Sequence, residues 1–324
     1  MIARMTSIND LSPNHLTPTA VMGLVVLGIL MVGSAAVAIL RHRRPEKDFS
    51  ELSARVRAWW IMSAVFFGAI VVSNRISLVF FALMSFWAMK EYVTLLKTRP
   101  ADHHALVLTF LAVPVQYLWI GLDQPWYGMF IIFIPVYMLL SLPVRMVLSK
   151  ETKGFVESAS QIQWGLMIFV FGLSHMAYLL TFPTIRDTSA NGRTLVLFLV
   201  FVVEISDVLQ YIWGKSLGRH KIIPAVSPNK TWEGFIGGIA TAMLLSLALR
   251  FLTPFSIRET LLVSFLITVA GFFGGAVMSA VKRDFGVKDF GSVIPGHGGM
   301  LDRVDSLCYA APIFFHYVRY FYTD

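Results

Sequence analysis

Residues 21–40 read VMGLVVLGILMVGSAAVAIL, and none of these side chains carries a charge. A helix of this length spans about 30 Å, the thickness of the hydrocarbon core of a bilayer. Ala36-Val37-Ala38 resembles a signal-peptide cleavage site, but the apolar stretch is long and is followed by Arg41, Arg43 and Arg44. Because these arginines would resist translocation, we interpret the stretch as an uncleaved membrane anchor.

Similar apolar stretches follow along the whole chain. The sequence has 324 residues, of which 56% are hydrophobic and only 14% charged, whereas a soluble domain carries about 25% charged residues. We therefore predict an all-α, polytopic membrane protein with about ten transmembrane helices. The ten stretches are approximately 21–40, 58–74, 76–96, 106–122, 127–142, 162–182, 194–213, 234–253, 259–281 and 305–322. The fifth is short and contains Pro135, so a tilted, kinked or partly inserted helix is an open alternative.

The charges predict the orientation of these helices. The formal net charge is +8, and in a membrane protein such an excess marks cytoplasmic loops and anionic lipid headgroups before it marks nucleic acid. With the N-terminus outside, the inner side holds Arg41, Arg43, Arg44, Lys47, Arg55, Arg57, Lys97, Arg99, Arg145, Lys150, Lys153, Lys215, Arg219, Lys221, Lys230, Lys282, Arg283, Lys288 and Arg303. The outer side holds only Arg4, Arg75, Arg186, Arg193, Arg258 and Arg319. The single cysteine, Cys308, excludes an internal disulfide and a CxxC metal site.

Two inner segments are rich in residues that bind phosphate and metal. The first runs from Glu204-Ile205-Ser206-Asp207 to Ser227-Pro228-Asn229-Lys230-Thr231-Trp232-Glu233-Gly234. An acid such as Asp207, in the last turns of an apolar helix, is costly unless it is paired or lines a wet cavity. One alternative is a salt bridge to Lys215 or Arg219. Ser227-Pro228 has a structural account as an N-cap followed by a first-turn proline, and a helix start beside Lys230 would suit a phosphate.

The second segment runs from Ser279 to Asp305. Individually, Lys282 and Arg283 could be cations at a helix C-terminus, and Asp302 could be an N-cap. However, Asp302 and Asp305 are three residues apart, so they share a helix face and could converge on one divalent cation. Glycines on both sides of His297 allow the backbone to approach a ligand closely. Together, the cations and carboxylates of this segment suit a metal–polyphosphate complex.

These residues carry a family resemblance. Ser279 to Asp305 reads S-x-V-K-R-x4-K-D-x-G-x2-I-P-x-H-G-G-M-x-D-R-V-D and resembles the signature of the phosphatidate cytidylyltransferase (CDP-diglyceride synthetase) family. Ser227 to Gly234 is similar to the S-P-x-K-T-W-E-G element of that family, and Asp207 with Tyr211 resembles its D-x-x-A-Y helix end. Gln210 stands where the family commonly has alanine, which bears on lipid specificity. The resemblance covers the C-terminal part strongly; the N-terminal helices resemble the family in hydropathy and in details such as Glu91.

The resemblance implies the reaction of CTP with phosphatidate to give CDP-diacylglycerol and pyrophosphate, with Mg²⁺ and an optional second cation. It implies N-terminal scaffold helices in 1–193 and catalytic helices in 194–324, with cytoplasmic loops 213–233 and 282–304. The expected metal ligands are Asp207, Asp289, Asp302 and Asp305. The expected phosphate ligands are Lys230, Lys282, Arg283, Lys288 and Arg303, and the remaining substrate-binding residues are Ser227, Tyr211, Glu233, Gly298 and Gly299. His297 is either a phosphate donor or a loop organiser, and Glu233 either supports the ligands or is simply a favourable acid in a first helical turn.

Other functions remain open alternatives. A CTP-dependent polyprenol or phytol kinase would also need a cytoplasmic nucleotide site, and its product would be a simple lipid phosphate. An ion-coupled transporter would use intramembrane acids, but it predicts inverted repeats and broken helices that the sequence lacks. A non-catalytic relative is disfavoured because every signature carboxylate is present.

The expected partners are CTP, phosphatidate or a related lipid phosphate, and membrane lipids, with no nucleic acid. A homodimer is one alternative for the oligomeric state. We expect a bacterial inner membrane with the active site facing the cytoplasm, with the endoplasmic reticulum and the mitochondrion as alternatives.

Overall fold

The computed structural model describes residues 17–46, 48–185, 188–294, 296 and 298–323. Its helices are α1 Pro18–Arg43, α2 Ser50–Val72, α3 Asn74–Leu95, α4 His103–Gly121, α5 Tyr127–Ile132, α6 Leu139–Val147, α7 Phe155–Gly165, α8 Leu173–Leu179, α9 Gly192–Leu217, α10 Trp232–Ala248, α11 Ile257–Asp284 and α12 Leu301–Tyr322. Within these ranges the chain forms no strand, only isolated bridges between Lys221 and Thr231 and between Ile294 and Gly298. His297, Arg4, Lys47 and Arg186 lie outside the described residues.

The prediction of an all-α polytopic membrane protein is confirmed, and each of the ten apolar stretches is helical. Within the described residues, eight helical spans are long and apolar enough to cross a membrane, and α10 is apolar but shorter. The spans are Pro18–Arg43, Ser50–Val72, Asn74–Leu95, Pro100–Gly121, Tyr127–Val147, Phe155–Leu179, Gly192–Leu217 and Ile257–Asp284. The last helix, α12, is not among the eight, and its first turns carry Asp302, Arg303 and Asp305. The protein is therefore an integral membrane protein.

The fifth and sixth spans each contain a π-helical segment. Phe133–Met138 joins α5 to α6, and Leu166–Gly172 joins α7 to α8. Pro135, which has no backbone N–H to donate, lies inside the first of these segments. The wider turn absorbs the proline without ending the helix. The fifth span thus continues to Val147, beyond the predicted end at residue 142.

Short polar sequences determine where several helices begin. Ser73, Asn191 and Ser256 accept hydrogen bonds from the first amides of α3, α9 and α11. At α11, Glu259 also reaches back to the Ser256 amide and completes a capping box. Such caps satisfy amides that have no partner within the helix.

The core of the bundle lies around α8, α9, α11 and α12. Large side chains from different helices are fully buried there, among them Phe169, Phe198, Phe314 and Phe315. By contrast, α1 exposes most of its apolar side chains, with Val32 exposed over 71% of its surface. Exposed apolar side chains on a membrane helix face lipid. The burial of α12 explains how this helix can carry polar residues within an apolar bundle.

Glycines bring α9 and α10 into close contact. A Cβ on Gly238 of α10 would lie 2.7 Å from the backbone nitrogen of Gln210 on α9. Trp213 packs in the same way against Gly237, at 2.8 Å from its added Cβ.

The end of α9 contacts the start of α10 through Gly214 and Gly234, and the end of α11 contacts the start of α12 through Lys282 and Asp302. Because Ser306 of α12 also contacts Asp207 of α9, all four helix ends lie at one end of the bundle. The two polar segments therefore meet at that end.

Candidate active site

The loop between α9 and α10 is held in place by Glu233. Its carboxylate accepts hydrogen bonds from the backbone amides of Arg219 at 3.0 Å and His220 at 3.2 Å. It also contacts His220 Nδ1 at 2.6 Å. Because both carboxylate oxygens serve the loop, the contacts of Glu233 fit a loop organiser better than a phosphate ligand.

The start of α10 corrects one sequence interpretation. The N-cap is Thr231, whose hydroxyl accepts the Gly234 amide at 3.1 Å. The interpretation of Ser227 as the N-cap, with Pro228 in the first turn, is wrong. The Ser227 carbonyl instead accepts the Lys230 amide at 3.3 Å in a turn, so the loop continues to the N-cap Thr231 and the helix begins only at Trp232.

This turn directs Lys230 into the bundle. Its Nζ donates to the Phe272 carbonyl of α11 at 3.1 Å and lies 4.2 Å from the centroid of the Phe272 ring. Gly275 leaves space beside it, because a Cβ there would be 3.4 Å from Nζ. Burial lowers the pKa of the Lys230 ammonium, and the nearby carboxylates of Asp207 and Asp305 oppose that shift. A partly desolvated ammonium makes stronger hydrogen bonds to charged oxygens than a fully hydrated one.

Asp207 and Asp305 face each other across the bundle through Ser306. The Ser306 hydroxyl donates to Asp207 Oδ2 at 2.7 Å and lies 3.5 Å from Asp305 Oδ1. The alternative in which Asp207 pairs with Lys215 or Arg219 is wrong, since no such ion pair occurs among the described residues. Lys215 instead lies over the Tyr211 ring, 5.7 Å from its centroid.

Arg303 lies near three acidic side chains. It interacts electrostatically with Glu204, Asp207 and Asp305. Its Nε is buried and has no hydrogen-bond partner in the described part of the chain. Arg303 thus balances part of the acidic charge and retains an unused donor.

Asp302 has a different environment from Asp305. Its Oδ1 accepts Lys282 Nζ at 2.8 Å, and its Oδ2 accepts the amides of Phe290 at 2.9 Å and Gly299 at 3.0 Å. α12 begins at Leu301, so Asp302 lies in its first turn and is not the N-cap. The two residues share a helix, but Asp302 anchors the loop while Asp305 borders Asp207.

The remaining predicted site residues lie nearer the surface. Arg283, Lys288, Asp289 and Tyr211 are exposed. Arg283 is oriented toward the Val226 carbonyl, with its Nε at 3.4 Å, and so connects the two polar segments. Gly298 has a φ of +79°, and a Cβ there would lie 3.3 Å from Asp289 Cβ. His297 falls outside the described residues, so its predicted role stays a prediction.

Comparison with known proteins identifies the family. The model of the cytidylyltransferase family matches residues 53–321, which include both polar segments and most of the bundle. The chain belongs to the cytidylyltransferase family. It is thus a membrane enzyme of the nucleotidyltransferase class, and the resemblance inferred from Ser279 to Asp305 is confirmed.

Several proteins resemble this cytidylyltransferase over much of their length. It is 44% identical over 279 residues to the uncharacterized protein YnbB of Escherichia coli (strain K12), covering 86% of this chain and 91% of that protein. It is 31% identical over 261 residues to the phosphatidate cytidylyltransferase of Staphylococcus haemolyticus, covering 78% and 94%. The phosphatidate cytidylyltransferase of Staphylococcus saprophyticus is 37% identical over 170 residues, covering 52% and 61%.

Three residues that contact the cytidylyltransferase site were not among the site residues predicted from the sequence. Ser306 connects Asp207 and Asp305, Glu204 lies near Arg303, and Glu91 of α3 accepts the amides of Met300 and Leu301. Glu204 precedes Asp207 by three residues, and helical spacing could have placed both on one face. Glu91 was noted as a detail of the family resemblance, but no local pattern could predict its contact with Met300 and Leu301, which lie about two hundred residues further along the chain.

Proposed function

We propose that this cytidylyltransferase transfers the cytidylyl group of CTP to phosphatidate or a related lipid phosphate, giving a CDP-lipid and pyrophosphate. The observation that carries the proposal is the contact between Ser306 and Asp207, which brings the two polar segments together beside Lys230. Relatives named phosphatidate cytidylyltransferase support the choice of substrates.

The chemistry needs charge neutralisation more than a base. An oxygen of the lipid phosphate forms a bond to the α-phosphorus of CTP, and the bond from that phosphorus to the bridging oxygen of pyrophosphate breaks. A phosphate monoester has a second pKa near 6, so the nucleophile is already largely dianionic at neutral pH. Two polyanions must be held in line, and cations supply the required attraction.

The residues of the site divide this task between them. Lys230 is partly buried against α11, close to Asp207 and Asp305, and supplies donors at the centre of the site. Lys282 gives one donor to Asp302, and an ammonium has three, so two remain for phosphate oxygens. Arg303 retains a free Nε. Exposed Arg283 and Lys288 lie on the surface where CTP would arrive.

The donor set at the centre fits Mg²⁺. No group of three or more His, Cys, Asp or Glu side chains that could hold a metal forms within the described ranges. Mg²⁺ does not require such a group, because it is usually held by one or two carboxylates together with water and substrate phosphates. Asp207 and Asp305 would provide those carboxylates, with the Ser306 hydroxyl between them. When bound, the ion would neutralise charge on the attacking and leaving oxygens. Metal coordination by Asp289 and Asp302, and the binding of a second cation, stay predictions.

The position of the site suits a lipid phosphate. It lies at the ends of α9 to α12, where a phosphate headgroup at the membrane surface meets a nucleotide from water. The bias of Lys and Arg toward these loops supports the cytoplasmic side of a bacterial inner membrane. The acyl chains of the lipid substrate would stay in the bilayer beside the apolar faces of the helices.

The test is a transfer assay with purified protein in detergent micelles. The protein is incubated with Mg²⁺, CTP labelled in its α-phosphate, and in separate tubes phosphatidate, a polyprenyl phosphate, diacylglycerol or a polyprenol. We expect label in the lipid extract only with a lipid phosphate. If instead γ-labelled CTP transfers label to a lipid alcohol, the enzyme is a lipid kinase and the proposal is wrong. The Asp207→Asn protein serves as the inactive control.

A further inference from the structure

Glu91 connects the N-terminal helices to the start of α12. It lies in α3, and its side chain is buried, with 6% of the residue exposed. Glu91 Oε1 accepts the Met300 amide at 2.9 Å, and Oε2 accepts the Leu301 amide at 2.8 Å. The first amides of a helix have no partner within the helix, and the Met300 side chain provides no capping hydrogen bond to them. A carboxylate from another helix therefore takes the place of the usual cap.

Two glycines provide the space that this carboxylate occupies. A Cβ on Gly291 would lie 2.7 Å from Glu91 Oε1, and a Cβ on Gly299 would be in direct conflict with Oε2. Both glycines belong to the loop that leads into α12. The loop thus closes tightly around Glu91. No ion pair among the described residues involves Glu91, so its charge is balanced by amides and by the positive end of the helix dipole.

The turn that Glu91 holds carries two residues of the site. Gly299, next to Met300, donates its amide to Asp302 Oδ2 at 3.0 Å. Asp305 lies one turn further along α12, beside Ser306 and Asp207. We propose that Glu91 is a positioning residue: it fixes the start of α12, and so holds Asp302 and Asp305 in place relative to Asp207 and Lys230. The kinetic part of this inference rests on the proposed function.

The kinetic test compares Glu91→Gln and Glu91→Ala with the unchanged protein. Glutamine keeps one acceptor for one amide, but its NH₂ group faces the other amide and cannot accept from it. We expect kcat for cytidylyl transfer to fall about 10- to 100-fold, the usual cost of removing a group that supports a metal ligand. The KM for CTP should change little, because Glu91 contacts no exposed cation of the site. Glu157→Gln, an exposed acid on α7, is the matched control and should behave as wild type.

A merely structural role would give a different result. It would lower the amount of folded protein and its unfolding temperature, while kcat per folded molecule stayed unchanged. That outcome would overturn the inference. Partial recovery of kcat in Glu91→Asp, which keeps the charge on a shorter side chain, would support it, and an Asp variant no better than alanine would count against it.

Hydrogen exchange provides a readout that does not depend on the reaction. In Glu91→Ala, the amides of residues 298–303 should exchange faster, whereas a peptide from the buried part of α9 should not change. Unchanged exchange in 298–303 would refute the contact, whatever the kinetics. If wild-type protein transfers no cytidylyl group, the proposed function fails while the exchange result still decides whether Glu91 holds α12.

A double variant tests the packing around the carboxylate. Gly291→Ala alone should disturb the loop, because its Cβ would crowd Oε1. In the Glu91→Ala background that oxygen is gone, so Gly291→Ala should add little further loss of kcat. Additive losses would show that Gly291 and Glu91 act independently, against the inference.

Discussion

The sharpest prediction separates Asp302 from Asp305 by replacing each with asparagine. Asp302 is 3% exposed in its side chain and pairs with Lys282, which is 14% exposed. An asparagine at position 302 can still accept hydrogen bonds from the Phe290 and Gly299 amides with its side-chain oxygen, but its NH₂ group then faces the Lys282 ammonium. Removing one partner of a buried ion pair costs about 3–5 kcal/mol. Asp305 makes no such pair with any residue that the structure describes, and an asparagine in its place can still accept the Ser306 amide. The cost of Asp305→Asn should therefore stay below about 1 kcal/mol.

The two substitutions should lower activity for different reasons. Asp305→Asn should fold normally and lose about 100-fold or more in turnover, a scale typical of one lost electrostatic contact in the transition state. Asp302→Asn should lower the thermal unfolding midpoint in detergent by on the order of 5 °C, in addition to any loss of turnover. Tryptophan fluorescence follows the midpoint, and labelled CTP follows turnover.

Two controls complete this comparison. Adding Lys282→Met to Asp302→Asn removes the unpaired cation. The double variant should regain part of the lost thermal unfolding midpoint, because replacing both partners of a buried pair is often close to neutral. Asp284→Asn changes an exposed acid at the end of α11 and should leave both readouts unchanged. Equal midpoints for Asp302→Asn and Asp305→Asn would refute the reasoning, and near-normal turnover of Asp305→Asn would remove its proposed metal role.

Four further outcomes are expected. Thr231→Ala should lower stability by about 1 kcal/mol through loss of the α10 cap, whereas Ser227→Ala should not change the unfolding midpoint; the reverse order would contradict the cap assignment. Gly238→Ala should cost at least about 1–3 kcal/mol because it crowds the Gln210 backbone, while Gly28→Ala, which meets nothing within 4 Å, should have no effect on the midpoint. Gln210→Ala should retain cytidylyl transfer but alter the relative rates with different lipid phosphates, since the Gln210 side chain donates a hydrogen bond to Ser206, next to Asp207. If wild type and variant rank the lipid phosphates identically, Gln210 has no role in lipid choice. In a Cys308→Ala background, Lys150→Cys and Lys221→Cys should resist an impermeant thiol reagent on intact cells, and Asp123→Cys and Arg258→Cys should react; labelling of position 221 would overturn the orientation.

The sequence alone determined the class of fold and the family. Apolar stretches of membrane length are a local property, so hydropathy was enough to predict each helix, although the ends at Val147 and Ala248 shifted by several residues. The signature from Ser279 to Asp305 is also local. It was sufficient to predict the cytidylyltransferase family, which the match over residues 53–321 confirms.

Only the tertiary structure decided which polar groups meet. Spacing suggested that Asp302 and Asp305 act together, but packing joins Asp302 to Lys282 and Asp305 to Ser306 and Asp207. Likewise, the cap at Thr231 depends on how the loop folds back, and the contact of Glu91 with Met300 depends on α3 lying beside α12. Side chains three or four residues apart project from the same face of a helix, and this follows from sequence spacing alone. Contacts between helices that are distant in the sequence depend on how the whole bundle packs.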